Sequence, residues 1–85
     1  MAGHELKTWP EVFQALWDGY KTFEYRRSDR DFRVKDILVL REWDPATRTY
    51  SNRTIHAKVT YIMKGGEFGI PEGYCIMSVH IVKKE

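Results

Sequence analysis

The residues best equipped for chemistry lie between Lys21 and Lys35. This stretch holds Lys21, Arg26, Arg27, Arg30, Arg33 and Lys35 against Glu24, Asp29 and Asp31, a local excess of three positive charges. The whole chain carries +2, which leaves −1 for the other seventy residues. A local cluster of cations is the electrostatic footprint expected of a phosphate-binding surface. Tyr20, Phe23, Tyr25 and Phe32 are interleaved with the cations, and any exposed ring among them can stack on a base. The competing reading is a solvated loop with internal Arg–Asp pairs that binds nothing.

Outside this stretch the inventory is thin. His4, His56 and His80 are scattered, with no Cys-x-x-Cys or His-x-x-x-His pair, so no metal site and no cofactor is expected. Cys75 alternates with apolar residues and reads as a buried, inert thiol. No Gly-x-x-x-x-Gly-Lys-Ser/Thr loop is present for nucleotide phosphates. Gly65-Gly66 could aim backbone N–H groups at an anion, or could be only a flexible connection between strands.

Gly19-x-Lys21-x-x-Glu24-x-Arg26 resembles the signature of ASCH domains, a branch of the PUA-like superfamily. Arg41-Glu42-Trp43-Asp44-Pro45 and Lys64-Gly65-Gly66-Glu67-Phe68-Gly69-Ile70 look typical of a small bacterial and phage family within that group. The resemblance runs from about His4 to Val82. It implies a PUA-type barrel, a cleft beside the helix lined by the signature residues, and RNA binding. Lys21 is a compact cation suited to a phosphate or a base carbonyl, and Arg26 can grip a phosphate bidentately or stack on a base. Glu24 could orient Arg26 or accept from the exocyclic amine of a base. The alternative is an ion-paired trio that only braces a corner. A strand's period of two puts Lys21 opposite Glu24, so the trio converges only if Lys21 lies in the turn before the strand.

The expected function is binding of RNA, or of a modified base or nucleotide. Lys21, Glu24 and Arg26 form the floor, Arg27, Arg30 and Arg33 hold the backbone, and Lys64 stands across the cleft. Some ASCH-like proteins resemble amidohydrolases acting on N4-acetylcytidine with a Lys, a Thr and a Glu. Lys21 would match the Lys, but Glu24 stands where that pattern has Thr. Thr22 has the wrong offset, and the third residue would have to come from a later loop, such as Glu67 or Glu72. A third possibility is a protein-interaction module, with Trp43 beside the Asp44-Pro45 turn as its anchor if exposed.

Several elements must position these groups. Residues 5–9 suggest a short first strand. Thr8 and Glu11 have capping-box spacing, with Pro10 in the first turn. Val12, Phe13, Leu16 and Trp17 follow at helical spacing, and Gly19 is a stop, which predicts a helix over 10–18. From Lys21 to Arg26 aromatic and polar residues alternate, as on a strand with one buried face; Phe23 and Tyr25 point one way, Glu24 and Arg26 the other. Ile37-Leu38-Val39-Leu40 reads as a strand start buried on both sides, extended by Arg41-Glu42-Trp43 before a Pro45 turn. A strand over about 53–63 places Ile55, Ala57, Val59 and Tyr61 on one face. A last strand over 74–82 places Cys75, Met77, Val79 and Ile81 together.

Five or so strands and one small helix fit poorly in a flat sheet, whereas curling protects the edges. The expected fold class is therefore α+β: a small mixed β-barrel of PUA-like type, its helix plugging one end, as a single domain over 1–85. Eighty-five residues leave no room for a second domain, and a chain this short buries only about 60 % of its unfolded surface. Twelve aromatic rings are one way to build enough core. No apolar run approaches the roughly 18 residues of a membrane span, so no membrane partner is expected. The lone cysteine and the absence of a secretory-type N-terminal stretch make a cytoplasmic location the default.

Overall fold

The computed structural model describes residues 2–85. Its elements are β1 (Gly3–Thr8), α1 (Pro10–Trp17), β2 (Phe23–Arg27), β3 (Ile37–Asp44), β4 (Thr49–Lys64) and β5 (Tyr74–Lys84). The strands form one mixed sheet in the order β1-β3-β4-β5-β2, with β1 parallel to β3 and the other neighbours antiparallel. The sheet curls into a half-barrel. β1 and β2 are its two edges, and no ladder joins them, so the curl stays open along a seam.

The interior is filled from every side of the curl. Leu6, Leu38, Leu40, Ile55, Ala57, Val59, Cys75, Met77 and Val79 point inward from the sheet, and Phe13 and Leu16 enter from α1. Strand alternation produces this set, as read from β4 and β5. In the apolar start of β3, Leu38 and Leu40 are buried while Ile37 and Val39 are half-buried, so one face is sealed and not two. Tyr61 departs from the expected face of β4. The register shifts between Val59 and Tyr61, a bulge turns Tyr61 outward, and Ile62 packs against the core instead.

The start of α1 also differs from the sequence pattern. Trp9 is the N-cap, in extended conformation, and makes no side-chain cap; Thr8 belongs to β1. Pro10 opens the helix, as its fixed φ allows, and Glu11 complements the positive end of the dipole. At the other end Gly19 takes φ +83°, and the N–H groups of Tyr20 and Lys21 both donate to the Ala15 carbonyl. This closed turn carries the chain from helix to β2 and fixes Lys21 just ahead of it.

β2 has the two faces read from its alternation, and the polar one is covered. Phe23 and Tyr25 face outward, about half exposed, and Glu24 is buried. The polar face is the inner one because it looks across the seam onto the unpaired edge of β1. Phe32 is not a free ring either: it is buried, with its edge against His4 at 4.8 Å.

The loop that follows β2 is anchored by Asp36. Its buried carboxylate accepts from the Ala2 N–H (3.0 Å), the Arg33 N–H (3.0 Å) and His4 Nε2 (2.8 Å). Burial alone would raise its pKa, but the hydrogen bonds from His4 and the two backbone N–H groups outweigh it and hold the carboxyl at about 2, against an ordinary 3.8. A depressed pKa means that the stabilisation is complete above about 3.8 and is lost as pH falls through about 2. Chemical-denaturant titrations should therefore show stability dropping between about pH 4 and pH 2, with a shallower drop in Asp36→Asn. The same slope in both proteins would remove Asp36 from the account.

Candidate functional site

Glu24 sits at the inner side of the seam, with its side chain only 4 % exposed. Oε1 accepts from Lys21 Nζ at 3.2 Å, and Oε2 accepts from Arg26 Nε at 2.8 Å. The three signature residues therefore converge, with Lys21 in the turn before β2 as convergence requires. Lys21 Nζ also donates to the Phe23 carbonyl at 2.6 Å.

Arg26 does a second job. Its Nη2 crosses the seam and donates to the Lys7 carbonyl (3.0 Å) and to Thr8 Oγ1 (3.2 Å). Arg30 does the same one step along, from Nη1 to the Glu5 carbonyl at 3.1 Å. Two arginines thus satisfy edge carbonyls of β1 that would otherwise face a strand partner. Every buried side-chain polar atom among the described residues has a hydrogen-bond partner, Glu24 and Thr8 included.

Above this trio opens a cavity of about 380 Å³ lined by Lys7, Thr8, Trp9, Val12, Lys21, Glu24, Tyr25 and Arg26. Its floor is polar and charged, and its rim is aromatic. Among the described residues, Arg26 Nη1 makes no hydrogen bond, so its two N–H groups remain for a ligand.

The other expected site residues do not share this cavity. Arg30 and Lys64 line a separate hollow of about 310 Å³ with Asp31, Phe32, Gly65 and Tyr74. Arg30 also lines a hollow of about 320 Å³ between β1 and the loop after β2, where Arg26 forms the common wall with the first cavity. Arg27 reaches Tyr74, with its guanidinium 5.7 Å from the ring centre. Arg33 lies in the open, paired with Asp31 at 2.8 Å, so the internal Arg–Asp reading holds for that residue. The single cleft expected from sequence is a row of hollows along the seam and the loop beside it.

Gly65-Gly66 forms neither an anion nest nor a free hinge. The Gly66 N–H is taken by the Ile70 carbonyl at 2.8 Å, within the loop. Trp43 is half-buried under Lys7, whose Nζ stands 4.5 Å from the ring centre. Among the described residues no group of three or more His, Cys, Asp or Glu could hold a metal ion, and no helix is long and apolar enough to cross a membrane.

Sequence reasoning missed Thr8, Trp9 and the carbonyls of Lys7 and Glu5. Thr8 and Trp9 stood in the pattern as helix start and strand end. Only the pairing of β1 with β3, which leaves the other edge of β1 open, reveals their place on the seam. It also missed Glu42. This carboxylate is gripped at both oxygens by Arg53 (2.9 and 3.0 Å), which lowers its pKa, and Arg53 lies 5.1 Å over Phe13 and 4.9 Å over Trp17. The network ties α1 to β3 and β4 and thereby sets the cavity's helical wall.

Residues 3–79 match the family described as "Domain of unknown function (DUF3850)". The chain belongs to that family. This DUF3850 chain is also similar to the "Uncharacterized 12.9 kDa protein in GpA 3'region" of Escherichia phage P2, at 32 % identity over 57 residues. The match covers 67 % of this chain and 50 % of the phage protein, so the chain spans about half that relative's length. Neither description names ASCH or PUA-like proteins, so the likeness to them remains a resemblance of the signature residues.

Proposed function

We propose that this DUF3850 chain is a PUA-like module that binds RNA and takes one nucleobase or nucleotide into the seam cavity. The observation that carries the reading is a buried carboxylate between two cations at the floor of an open, aromatic-rimmed cavity. A base edge finds donors in Arg26 Nη1 and Lys21 Nζ, and an acceptor in the remaining lone pairs of Glu24. Trp9 and Tyr25 at the rim offer faces for stacking. Arg27, Arg30 and Lys64, on nearby surfaces, supply sequence-independent contacts to the backbone.

Hydrolysis has less support in this geometry. Lys21 Nζ is committed as a donor to Glu24 and to the Phe23 carbonyl, the reverse of a general base's role.

The test is fluorescence anisotropy with a labelled single-stranded RNA. Affinity should fall with salt, with a log–log slope of about −1.4 to −2.1 if two to three phosphates are neutralised. Lys21→Ala should weaken binding about tenfold or more, because a charge-assisted contact is lost. Salt-independent binding, or full affinity in Lys21→Ala, would sink the cavity assignment.

A further inference from the structure

We propose that the outer face of β2, β5 and β4 is a stacking track for single-stranded nucleic acid that continues from the seam cavity. The inference rests on RNA as the ligand class but uses a different surface. In the pairing register Phe23 lies beside Ser78, Tyr25 beside Ile76 and Arg27 beside Tyr74, while Tyr61 of β4 lies beside Ser78. The outer face therefore carries four aromatic residues on three neighbouring strands. Phe23 is 47 % exposed, Tyr25 49 % and Tyr61 64 %. Phe68, 81 % exposed, is brought up to the same face by the loop between β4 and β5. With Phe23, Tyr25, Gly69, Ile70 and Ile76 it walls a hollow of about 360 Å³. Monomeric proteins rarely leave so many large rings together in water without a use.

The charge pattern selects the occupant. β4 and β5 contain no Asp or Glu, and the one carboxylate of β2, Glu24, faces inward. The cations are placed among the rings: Arg27 is over Tyr74, and Lys58 is exposed on β4. Glu67 and Glu72 belong to the loop and not to the strands. Rings interleaved with cations on three neighbouring strands without exposed carboxylates suit a polyanion with accessible π-faces. Unpaired bases present such faces, whereas a duplex hides them. Tyr25 lines both the seam cavity and the hollow under Phe68, so one strand can run from the first to the second without leaving aromatic surface.

The test uses a labelled single-stranded RNA of about ten nucleotides and its duplex, with Phe68→Ala, Tyr61→Ala and Lys21→Ala. Phe68 and Tyr61 are exposed enough to be removed without unfolding the chain, which circular dichroism checks. The expected result is tighter binding of the single strand than of the duplex, with each ring removal weakening the single strand about fivefold or more. Weakening by Lys21→Ala but by neither ring variant overturns the track and leaves the cavity reading standing. Weakening by the ring variants but not by Lys21→Ala supports the track and removes the cavity. A parent that binds no RNA overturns both. A parent that self-associates in sedimentation and becomes monomeric on Phe68→Ala overturns the track alone, because the face is then a contact between copies.

Discussion

Replacing Glu24 with alanine is expected to lower the unfolding free energy by about 3 kcal/mol and, under the proposed function, to abolish RNA binding. Removing one member of a buried ion pair costs about 3–5 kcal/mol when the abandoned charge stays buried. Here the abandoned partners are Lys21 and Arg26, whose side chains are 18 % and 23 % exposed, so they can partly recover water and the low end applies. Arg26 would also lose the contact that orients it toward the Lys7 carbonyl, and the seam would loosen along β1. Glu24→Gln separates holding the fold from holding a ligand. It keeps the volume and one acceptor oxygen, so urea unfolding should show a smaller loss, about 1–2 kcal/mol. If the trio is a ligand floor, binding in this folded variant should still fall, because the carboxylate's remaining lone pairs are reduced and the cations shift. If Glu24→Gln folds and binds RNA like the parent, the trio is a brace and the seam cavity has no part in recognition. An unchanged urea midpoint in Glu24→Ala would deny even the brace.

What sequence made legible, and what it did not, divides along one physical line. Spacing reports which residues share a face, but not which face is covered. In β2 the alternation of Phe23, Glu24, Tyr25 and Arg26 was readable, and ordinary hydrophobicity would bury the rings. The structure buries the carboxylate because the inner face of β2 meets the unpaired carbonyls of β1, and only donors such as Arg26 can answer them. That requirement arises from two strands some fifteen residues apart and has no local signature. Lys21 was readable only as a condition: it stood at the start of the alternating stretch, and convergence required a turn there, which Gly19 and the Ala15 carbonyl supply. Tyr61 was not, because a bulge changes parity without any special residue type at the site. The curl was expected from strand count, but its closure was not reached: β1 pairs with β3 on one side only, and two arginines span the gap that a ladder would fill.

The glycine pair after β4 leads to the second large effect. Gly65→Ala should destabilise the chain by about 3 kcal/mol, at the upper end for overpacking by a small group. A Cβ at Gly65 would run into the Pro71 carbonyl oxygen and stand 2.9 Å from both Glu72 Cα and the Tyr74 carbonyl oxygen. All three are backbone atoms, so no rotamer change can make room. The loop from Gly65 to Gly73 must lift away from the ends of β4 and β5, breaking the Gly66-to-Ile70 hydrogen bond and displacing the Gly73 carbonyl from the Ser28 N–H, which it meets at 2.7 Å. Gly69 is the control. It has φ +77° but nothing within 4 Å of a Cβ, so alanine there meets only left-handed backbone strain of about 1–2 kcal/mol. The two variants differ in kind as well as size. Gly65→Ala should widen the hollow formed by Lys64, Gly65 and Tyr74 and expose residues 65–73 to proteolysis, whereas Gly69→Ala should leave that hollow unchanged. If urea melts and proteolysis of the two variants coincide, the close crossing at Gly65 is not what holds this loop. The glycine would then matter only for backbone freedom, as its dipeptide first suggested.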